Sequence, residues 1–505
     1  MKRTASLFSI VLLCLLFAAS SYGQSPNSGA PNDGWKTSTP EAQGIDSRVL
    51  LQMFQSIQAN GGSGLHSLLI VRNGYLVAEG YFAPYHRDTL HNIKSASKSI
   101  LSALVGIALD KKKLKSLDQK VADFYPDYVN EPRKRDITLR HLLTMTAGLD
   151  WNNDREIGGA VPPYDLELWK TVSMRDDPGT KFVYNTMLVH MMSAILTKAT
   201  GEGTKEYADS VLFDPLGISD VQWSKDNQGI YIGGSELFLK PRDMAKFGQL
   251  YLDGGVWNGR QIVPKAWVAE STSPKTAIGI DSCSGNPDSY GYWWWIPSGT
   301  YQARGANGQY IIVKPDLKMV VVATSENQCA ALQYLYPYVF RAASGTGPLP
   351  ANPQSAGDLQ RLIALMENPP AKAVGRLPDV AARVSGKKYV LAPNEMGMQS
   401  IVLTFRDGGQ CTAEVVLGKT TINFPIGLDG NFRFADAGTS FGNNSKPPQI
   451  ASMGSWVNDR TFGFRFHILG DVVTQNFSLN FVGDDVSLDI NDSFSAKHIK
   501  GKKAQ

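Results

Sequence analysis

The spacing of apolar residues changes twice along this 505-residue sequence, and each spacing predicts a different kind of structure. Two apolar runs within residues 66–82 flank Asn73-Gly74, and this pair predicts a β-hairpin because both central positions of a type I′ turn need positive φ. Apolar residues then recur at three- and four-residue spacings, which predicts three helices: 95–109, 139–145 and 188–200. From Gly386 to the end, apolar and polar residues alternate, which predicts strands.

The hairpin and the helices that follow it are expected to belong to one domain of mixed helices and strands. Strands are predicted at Gln309–Val313 and Met319–Thr324, with Pro315-Asp316 in the turn between them. A hairpin, a long helical middle and then antiparallel strands together predict an α+β domain over residues 38–341.

The rest of the chain is expected to form a linker and a second domain. Residues 342–384 are rich in Pro and Gly and predict a linker with one short helix at Asp358–Met366. Residues 385–505 predict an all-β barrel or sandwich, and we interpret their basic Lys/His tail as a solvated terminus. Six segments of this region have the clearest strand pattern: Ile401–Phe405, Thr412–Leu417, Phe432–Phe434, Phe462–Phe466, Asn476–Phe481 and Val486–Ile490.

Residues 1–23 have the pattern of a secretory signal peptide. The basic pair Lys2-Arg3 precedes the apolar run Leu7–Ala19, and small residues suited to cleavage end at Gly23. Residues 24–37 are rich in Ser, Pro, Gly and Asn and predict a flexible leader. We therefore expect a periplasmic or secreted protein with no transmembrane anchor in its mature form.

The composition argues against several classes of function. A formal net charge of +4 gives no support for nucleic-acid binding as the main activity. The sequence has no HExxH or CxxC motif, its seven histidines are scattered singly, and no phosphate-binding glycine loop precedes a Lys-Ser/Thr pair. We therefore expect neither a catalytic metal nor a cofactor, and the oligomeric state is left open.

Three cysteines remain once the signal peptide is removed. An odd number in an oxidising compartment allows one disulfide and one free thiol. Cys283 and Cys329 flank one strand-rich segment, and they are the pair we favour, with Cys411 free. Three unpaired buried thiols remain the alternative.

Two serine motifs compete for the role of nucleophile. Gly438–Gly442 matches the G-x-S-x-G elbow, which needs a strand-to-helix turn, but no helix is predicted after it. Ser95-Ala96-Ser97-Lys98 is an S-x-x-K motif at the start of a predicted helix, where residues three apart share a face. Ser385 also begins an S-x-x-K sequence, with no helix after it. The alternative for Ser95 is an N-cap serine beside an ordinary surface lysine.

Further segments in chain order resemble one family of enzymes. Pro178–Thr186 is similar to the PGxxFxYSN segment, and Ala303–Gln309 to the Lys-Thr-Gly strand, of the serine β-lactamase and penicillin-binding-protein superfamily. Ile137–Trp151 and Lys240–Tyr251 resemble segments of its class C β-lactamase-like hydrolases, which include esterases, D-amino-acid peptidases and nylon-oligomer amidases. The resemblance implies an antiparallel sheet flanked by helices, a helical subdomain, and an active site between them.

The resemblance also implies roles for individual residues. Ser95 would be the nucleophile, Lys98 and Tyr184 the acid–base pair, and the backbone N–H groups of Ser95 and Ala306 would bind the oxyanion. Substrate contacts are expected from four further side chains, Asn185, Arg304, Tyr292 and Trp294. Tyr292 and Trp294 are expected to face the cleft because alternate residues of a strand point to the same side. The alternative is that they pack in the core.

Two departures from the family pattern bear on the substrate. Thr186 stands where the pattern has Asn, and Ala303 where it has Lys or His, so Ala303 supplies no cation for a substrate carboxylate. Arg304 would replace that cation only if its side chain faced the cleft. We expect a hydrolase of small or medium esters, amides or peptide-like molecules, with weak action on β-lactams. The alternative is a non-catalytic binding or regulatory protein that retains the fold.

Overall fold

The computed structural model of the protein describes residues 33–505, apart from 63, 152–165, 281–282, 284–286, 344, 346, 407–408, 437–447 and 493–494. The predicted signal peptide, residues 24–32 of the predicted leader and the Gly438–Gly442 motif lie outside the described residues.

A six-stranded sheet forms the centre of the first domain. Its strands, numbered β1 to β6 along the chain, are Lys36–Thr37, Leu65–Arg72, Tyr75–Tyr81, Tyr301–Gly305, Gln309–Lys314 and Met319–Ser325. The spatial order is β1-β3-β2-β6-β5-β4, and every neighbouring pair is antiparallel except β1 and β3. All residues of the central strands β2 and β6 are buried, because the sheet is covered on both faces.

Helices cover the two faces of this sheet. Among the described residues, five helices are longer than ten residues, and they are numbered α1 to α5: Ser47–Ala59, Ser97–Asp110, Thr186–Thr200, Pro241–Leu252 and Pro353–Glu367. Leu50 of α1 and Leu359 of α5 share a hydrophobic core with Val321. Gly248 of α4 instead lies against Val320, the neighbouring residue of β6. Since successive strand residues point to opposite faces, α4 and the α1–α5 pair lie on opposite sides of the sheet.

Apart from α4, the residues between β3 and β4 form a mainly helical subdomain. Its helices α2 and α3 pack against each other. Helix α2 also contacts β4, so α2 is the part of the subdomain that borders the sheet. The shorter helices are Val121–Phe124, Leu139–Leu143, Leu168–Thr171, Thr204–Ala208 and Lys265–Ser271. The short strands are His91–Asn92, Gln222–Trp223, Leu237–Leu239, Val256–Trp257, Arg260–Gln261, Thr276–Ile280 and Pro287–Tyr290. This arrangement confirms the predicted fold class for the first domain.

The C-terminal residues form a β-barrel. Its strands, β7 to β16, are Lys387–Leu391, Met398–Arg406, Gln410–Leu417, Thr420–Gly427, Arg433–Asp436, Gln449–Trp456, Thr461–Ile468, Thr474–Val482, Asp485–Asn491 and Ala496–Lys503. The spatial order is β10-β9-β8-β7-β16-β15-β14-β13-β12-β11, and a contact between β10 and β12 closes the ring. The alternating residues that point inward, many of them phenylalanines, form a separate hydrophobic core.

Two features of the chain differ from the predictions. The side chains of the basic tail are mostly exposed, as expected, but the tail is not an irregular terminus, because Ala496–Lys503 is strand β16 and pairs with both β7 and β15. The helix predicted at Asp358–Met366 is longer, covering Pro353–Glu367, and Leu359 buries it against α1 and the sheet. Asn352 caps this helix by accepting a hydrogen bond from the Ser355 N–H, and Pro353 suits its first turn.

The favoured cysteine pairing is present in the structure. Cys283 and Cys329 form a disulfide across 46 residues of sequence, and Cys411 is a buried free thiol in the barrel core. Burial raises the pKa of the Cys411 thiol to about 12. Within the described residues, no helix combines the length and apolar character needed to cross a membrane, and no cluster of His, Cys, Asp and Glu is suited to hold a metal ion.

Candidate active site

Ser95 lies in a single turn of 3₁₀ helix that leads into α2. This turn covers Lys94–Ala96, and α2 begins at Ser97, so Ser95 precedes the helix rather than opening it. The residue before it, Lys94, has a left-handed backbone with φ of 49°. A non-glycine residue in this region is strained, and such strain persists only where the surroundings hold it. The turn leaves Ser95 half-buried at the subdomain–sheet boundary.

Lys98 lies one helical turn after Ser95 and points back toward it. The Lys98 Nζ is 2.9 Å from the Ser95 Oγ, 3.2 Å from the Thr186 Oγ1 and 2.8 Å from the Gly234 carbonyl oxygen. The side chain is 1% exposed, so Lys98 is not the surface lysine of the alternative interpretation. These three contacts fix the amine beside the serine hydroxyl.

The segment before α3 brings Tyr184 to the same place. The Lys98 Nζ lies 5.1 Å from the centre of the Tyr184 ring, which also packs against Trp295. Asn185 does not reach the substrate space, because its Oδ1 caps α3 by accepting a hydrogen bond of 2.9 Å from the Met187 N–H. Thr186 is the contact that sequence reasoning missed. Its position in the Tyr-Asn-Thr sequence, where the family has Asn, was the available signal.

The end of β4 supplies the opposite wall. Gly305 passes so close to the Ile93 carbonyl oxygen that a side chain would collide with it, and glycine therefore allows β4 to lie against the Ser95 turn. Ala306 follows and lines the same cleft as Ser95. The turn after it is fixed by Ser325, whose Oγ donates a hydrogen bond of 2.6 Å to the Asn307 carbonyl oxygen. The backbone of Ala306 therefore lies on a firmly held turn.

These groups meet in a cleft of about 420 Å³. The cleft is lined by Ser95, Tyr184, Ile278, Gly279, Ile280, Asp288, Trp295, Arg304, Gly305, Ala306 and Gln328. Its volume lies within the range of small-molecule sites. The Cys283–Cys329 disulfide joins the two segments that carry Ile280 and Gln328, so it ties together two walls of the cleft.

Arg304 lines the cleft, but its charge is already paired. Its Nη1 donates a hydrogen bond of 2.7 Å to the Asp288 Oδ2, and its Nε donates one of 2.7 Å to the Gln302 Oε1. The guanidinium also lies over the Trp295 ring, 5.2 Å from the ring centre. The side chain thus faces the substrate space while its orientation is fixed by neighbours.

The structure places Tyr292 and Trp294 outside the cleft. The Tyr292 hydroxyl contacts Arg140 and Glu270, and Trp294 is fully buried against Phe247 and Tyr251. The strand alternation used to place them fails because Trp293 has a φ of 63°, which interrupts the extended chain. As a result Trp295, which sequence reasoning did not select, is the aromatic residue that lines the cleft.

Comparison with known proteins identifies relatives of the chain. The family model described as Beta-lactamase matches residues 52–330. A 6-aminohexanoate-dimer hydrolase of Paenarthrobacter ureafaciens is 26% identical over 285 residues, which cover 51% of this chain and 72% of that protein. Esterase EstB of Burkholderia gladioli is 28% identical over 160 residues, 27% of this chain and 39% of that protein. A structure described as a candidate 6-aminohexanoate-dimer hydrolase from Bacillus anthracis matches with a TM-score of 0.51 at 21% identity, over 63% of this chain and 89% of that one, which shows a common fold.

Proposed function

The chain belongs to the Beta-lactamase family, and from that membership we propose that it hydrolyses small or medium esters or amides through an acyl-enzyme on Ser95. The observation that carries this proposal is the 2.9 Å contact between the Lys98 Nζ and the Ser95 Oγ in a cleft shared with Tyr184 and Ala306. A serine is activated as a nucleophile when a base lies within hydrogen-bond reach.

The contacts of Lys98 suit the role of base. In its neutral form the amine has two N–H bonds and one lone pair. The N–H bonds have acceptors in the Thr186 Oγ1 and the Gly234 carbonyl oxygen, which leaves the lone pair for the Ser95 hydroxyl proton. As that proton moves to Lys98, the Ser95 Oγ forms a bond to the substrate carbonyl carbon.

The oxyanion formed in this step would be bound by two backbone donors. The N–H groups of Ser95 and Ala306 both belong to residues that line the cleft. Removing one such donor costs on the order of 3 kcal/mol of transition-state stabilisation. When the tetrahedral intermediate collapses, Tyr184 or Lys98 donates a proton to the leaving alcohol or amine. A water molecule then attacks the acyl-enzyme, and the acid is released as Ser95 recovers its proton.

The cleft walls support an uncharged or weakly polar acyl group. Trp295, Ile278 and Ile280 provide apolar surface, and Ile280 is 74% exposed at the mouth. Strand β4 contributes one cationic side chain to the cleft, that of Arg304, and this side chain is paired with Asp288. The names of the relatives, an amide hydrolase and an esterase, fit the same substrate classes.

We also propose that the protein is exported to the periplasm or the medium. The Cys283–Cys329 disulfide supports this, because disulfides persist in oxidising compartments and are rare in the cytosol. The proposal predicts that material secreted from the native host starts after Gly23, which N-terminal sequencing would test.

Covalent labelling tests the proposed activity. The wild-type protein should react with a fluorophosphonate and hydrolyse p-nitrophenyl esters, and Ser95→Ala should lose both reactions. Ser385→Ala is the matched control, because Ser385 also begins an S-x-x-K sequence but its hydroxyl contacts the Phe405 backbone instead. Labelling and turnover that persist in Ser95→Ala would place the nucleophile elsewhere, and a wild type that neither labels nor turns over would favour a binding protein that retains the fold.

A further inference from the structure

The turn between β13 and β14 of the barrel lies against the segment that leads to Ser95. The Asn92 N–H donates a hydrogen bond of 2.8 Å to the Gly470 carbonyl oxygen. Gly470 has a φ of 90°, and a Cβ there would lie 2.6 Å from the Leu90 carbonyl oxygen. Both the backbone conformation and the close approach therefore require glycine at this position.

The same turn contacts the strained residue before the nucleophile. The Lys94 Nζ lies 3.5 Å from the Asp471 Oδ1 and 3.9 Å from the Glu236 Oε1. The Lys94 N–H donates a hydrogen bond of 3.0 Å to the Asn92 Oδ1, and the Asn92 Nδ2 donates one of 3.0 Å to Glu236. Lys94 is thus held by groups from the barrel and from the subdomain.

The subdomain part of this network leads directly to Lys98. Glu236 lies two residues after Gly234, whose carbonyl oxygen accepts the hydrogen bond from the Lys98 Nζ. The backbone before Ser95 and the amine beside it are therefore supported by one connected set of contacts.

A third barrel residue, Thr474, supports the opposite wall of the cleft. The Thr474 hydroxyl donates a hydrogen bond to the Glu326 carboxylate. The Glu326 carbonyl oxygen in turn accepts a hydrogen bond of 3.2 Å from the Asn307 Nδ2, and Asn307 directly follows Ala306. The start of β14 is therefore linked to the turn that carries the second oxyanion donor.

From these contacts we propose that the β13–β14 hairpin positions the nucleophile turn and the oxyanion turn relative to each other. Gly470, Asp471 and Thr474 are then positioning residues, and the barrel is required for efficient acylation rather than for substrate binding. This inference rests on the proposed serine hydrolase function. Of the three residues, Asp471 has the weakest influence, because its side chain is 45% exposed and its ion pair is screened by solvent.

Two pairs of full-length variants test the proposal on a p-nitrophenyl ester. Gly470→Ala is compared with Gly483→Ala, because both glycines have positive φ in barrel turns but Gly483 has no atoms within 4 Å of an added Cβ. Thr474→Val, which has nearly the same shape but no hydroxyl, is compared with Thr474→Ser, which keeps the hydroxyl.

Gly470→Ala and Thr474→Val should lower kcat by about ten- to a hundredfold, because small displacements of reacting groups have effects of this size. KM should stay near the wild-type value, since none of these residues lines the cleft, and both control variants should keep kcat. Thermal unfolding is measured for every variant, and it distinguishes a variant that no longer folds from a folded variant in which the Ser95 and Ala306 turns are displaced. Should Gly470→Ala fail to fold, the Thr474 pair still decides.

The outcomes separate the two proposals. Wild-type kcat in folded Gly470→Ala and Thr474→Val, or an equal loss in Thr474→Ser, overturns the positioning role while the hydrolase function stands. A wild type without esterase activity or labelling at Ser95 overturns the hydrolase function, and the positioning role falls with it.

Discussion

The Arg304 Nη1 lies 2.7 Å from the Asp288 Oδ2, and both side chains line the cleft that contains Ser95. The two charges offset each other in a buried position, where each side chain is at most 7% exposed. A guanidinium with a carboxylate partner is a poor anchor for a second carboxylate, so the pair favours substrates without an acidic group beside the scissile bond.

Asp288→Asn should shift the selectivity toward acidic acyl groups. The amide can still accept a hydrogen bond from Arg304 but leaves its positive charge uncompensated. A charge-assisted contact contributes about 1.5–3 kcal/mol, so kcat/KM for p-nitrophenyl hemisuccinate relative to p-nitrophenyl butyrate should rise about ten- to a hundredfold. Adding Arg304→Ala should abolish the gain. If the wild type already prefers the acid and loses this preference in Arg304→Ala, then Arg304 is an anchor despite its pairing.

Tyr184→Phe should lower kcat by about two to four orders of magnitude, the range typical of a general acid–base group. Tyr290→Phe is a close control, since the two rings lie 6.2 Å apart. The Tyr290 hydroxyl is buried and has no hydrogen-bond partner within the described part of the chain, so its removal should leave activity and stability nearly unchanged. Equal losses in the two variants would show that this aromatic cluster acts structurally.

Thr186→Val should reduce acylation while Thr186→Ser should not. Valine keeps the shape but removes the oxygen that accepts the 3.2 Å hydrogen bond from the Lys98 Nζ. A buried hydrogen bond such as the one from the Lys98 amine to Thr186 contributes about 1 kcal/mol, so the labelling rate should fall about fivefold. The rate of fluorophosphonate labelling measures this step alone, and equal rates in both variants would contradict the assignment.

The stability of the protein should fall as the pH drops below about 6.5. Burial is the main cause that lowers the pKa of His91 to about 4 and that of His467 to about 3. Between these values and pH 6.5, the two histidines bind more protons in the unfolded chain than in the folded chain. The free energy of unfolding therefore has its full value above pH 6.5 and decreases as the pH falls through this range. The slope should be about 1.4 kcal/mol per pH unit for each histidine.

Thermal unfolding measured from pH 7.5 to 4 checks this expectation, with His467→Gln as the test variant. His467 contacts Tyr85 and Thr474, where the barrel meets the first domain, and Arg465 lowers its pKa further. His66, in contact with Tyr85, is also buried, and its pKa is held well below the ordinary value. The variant should have a shallower slope than the wild type, and parallel curves would show that His467 does not contribute.

Local patterns predicted much of the fold. Asn73-Gly74 indicated the β2–β3 turn, and both residues have positive φ, 52° and 78°. Helix α3 ends at Thr200 and is capped by Gly201, which is left-handed with φ of 80°, as the C-cap pattern predicts. These features depend on neighbouring residues, so the sequence contains enough information to predict them.

The residues that the patterns missed are placed by distant parts of the chain. Trp295 replaces Tyr292 and Trp294 in the cleft because of one left-handed residue, Trp293, which no strand pattern indicates. The contact between Lys94 and Asp471 joins residues 377 positions apart. Such pairs become neighbours only through the packing of whole domains, so no local pattern predicts them.

The position of β16 has a consequence for biosynthesis. The first barrel strand, β7, pairs with β8 on one side and with β16 on the other, so the barrel is open until residues 496–503 have left the ribosome. The sheet and helices around Ser95 are complete more than a hundred residues earlier, apart from their contacts with the barrel. A nascent chain would thus contain Ser95 and the sheet around it long before the β13–β14 hairpin, and the barrel would close only once residues 496–503 had emerged.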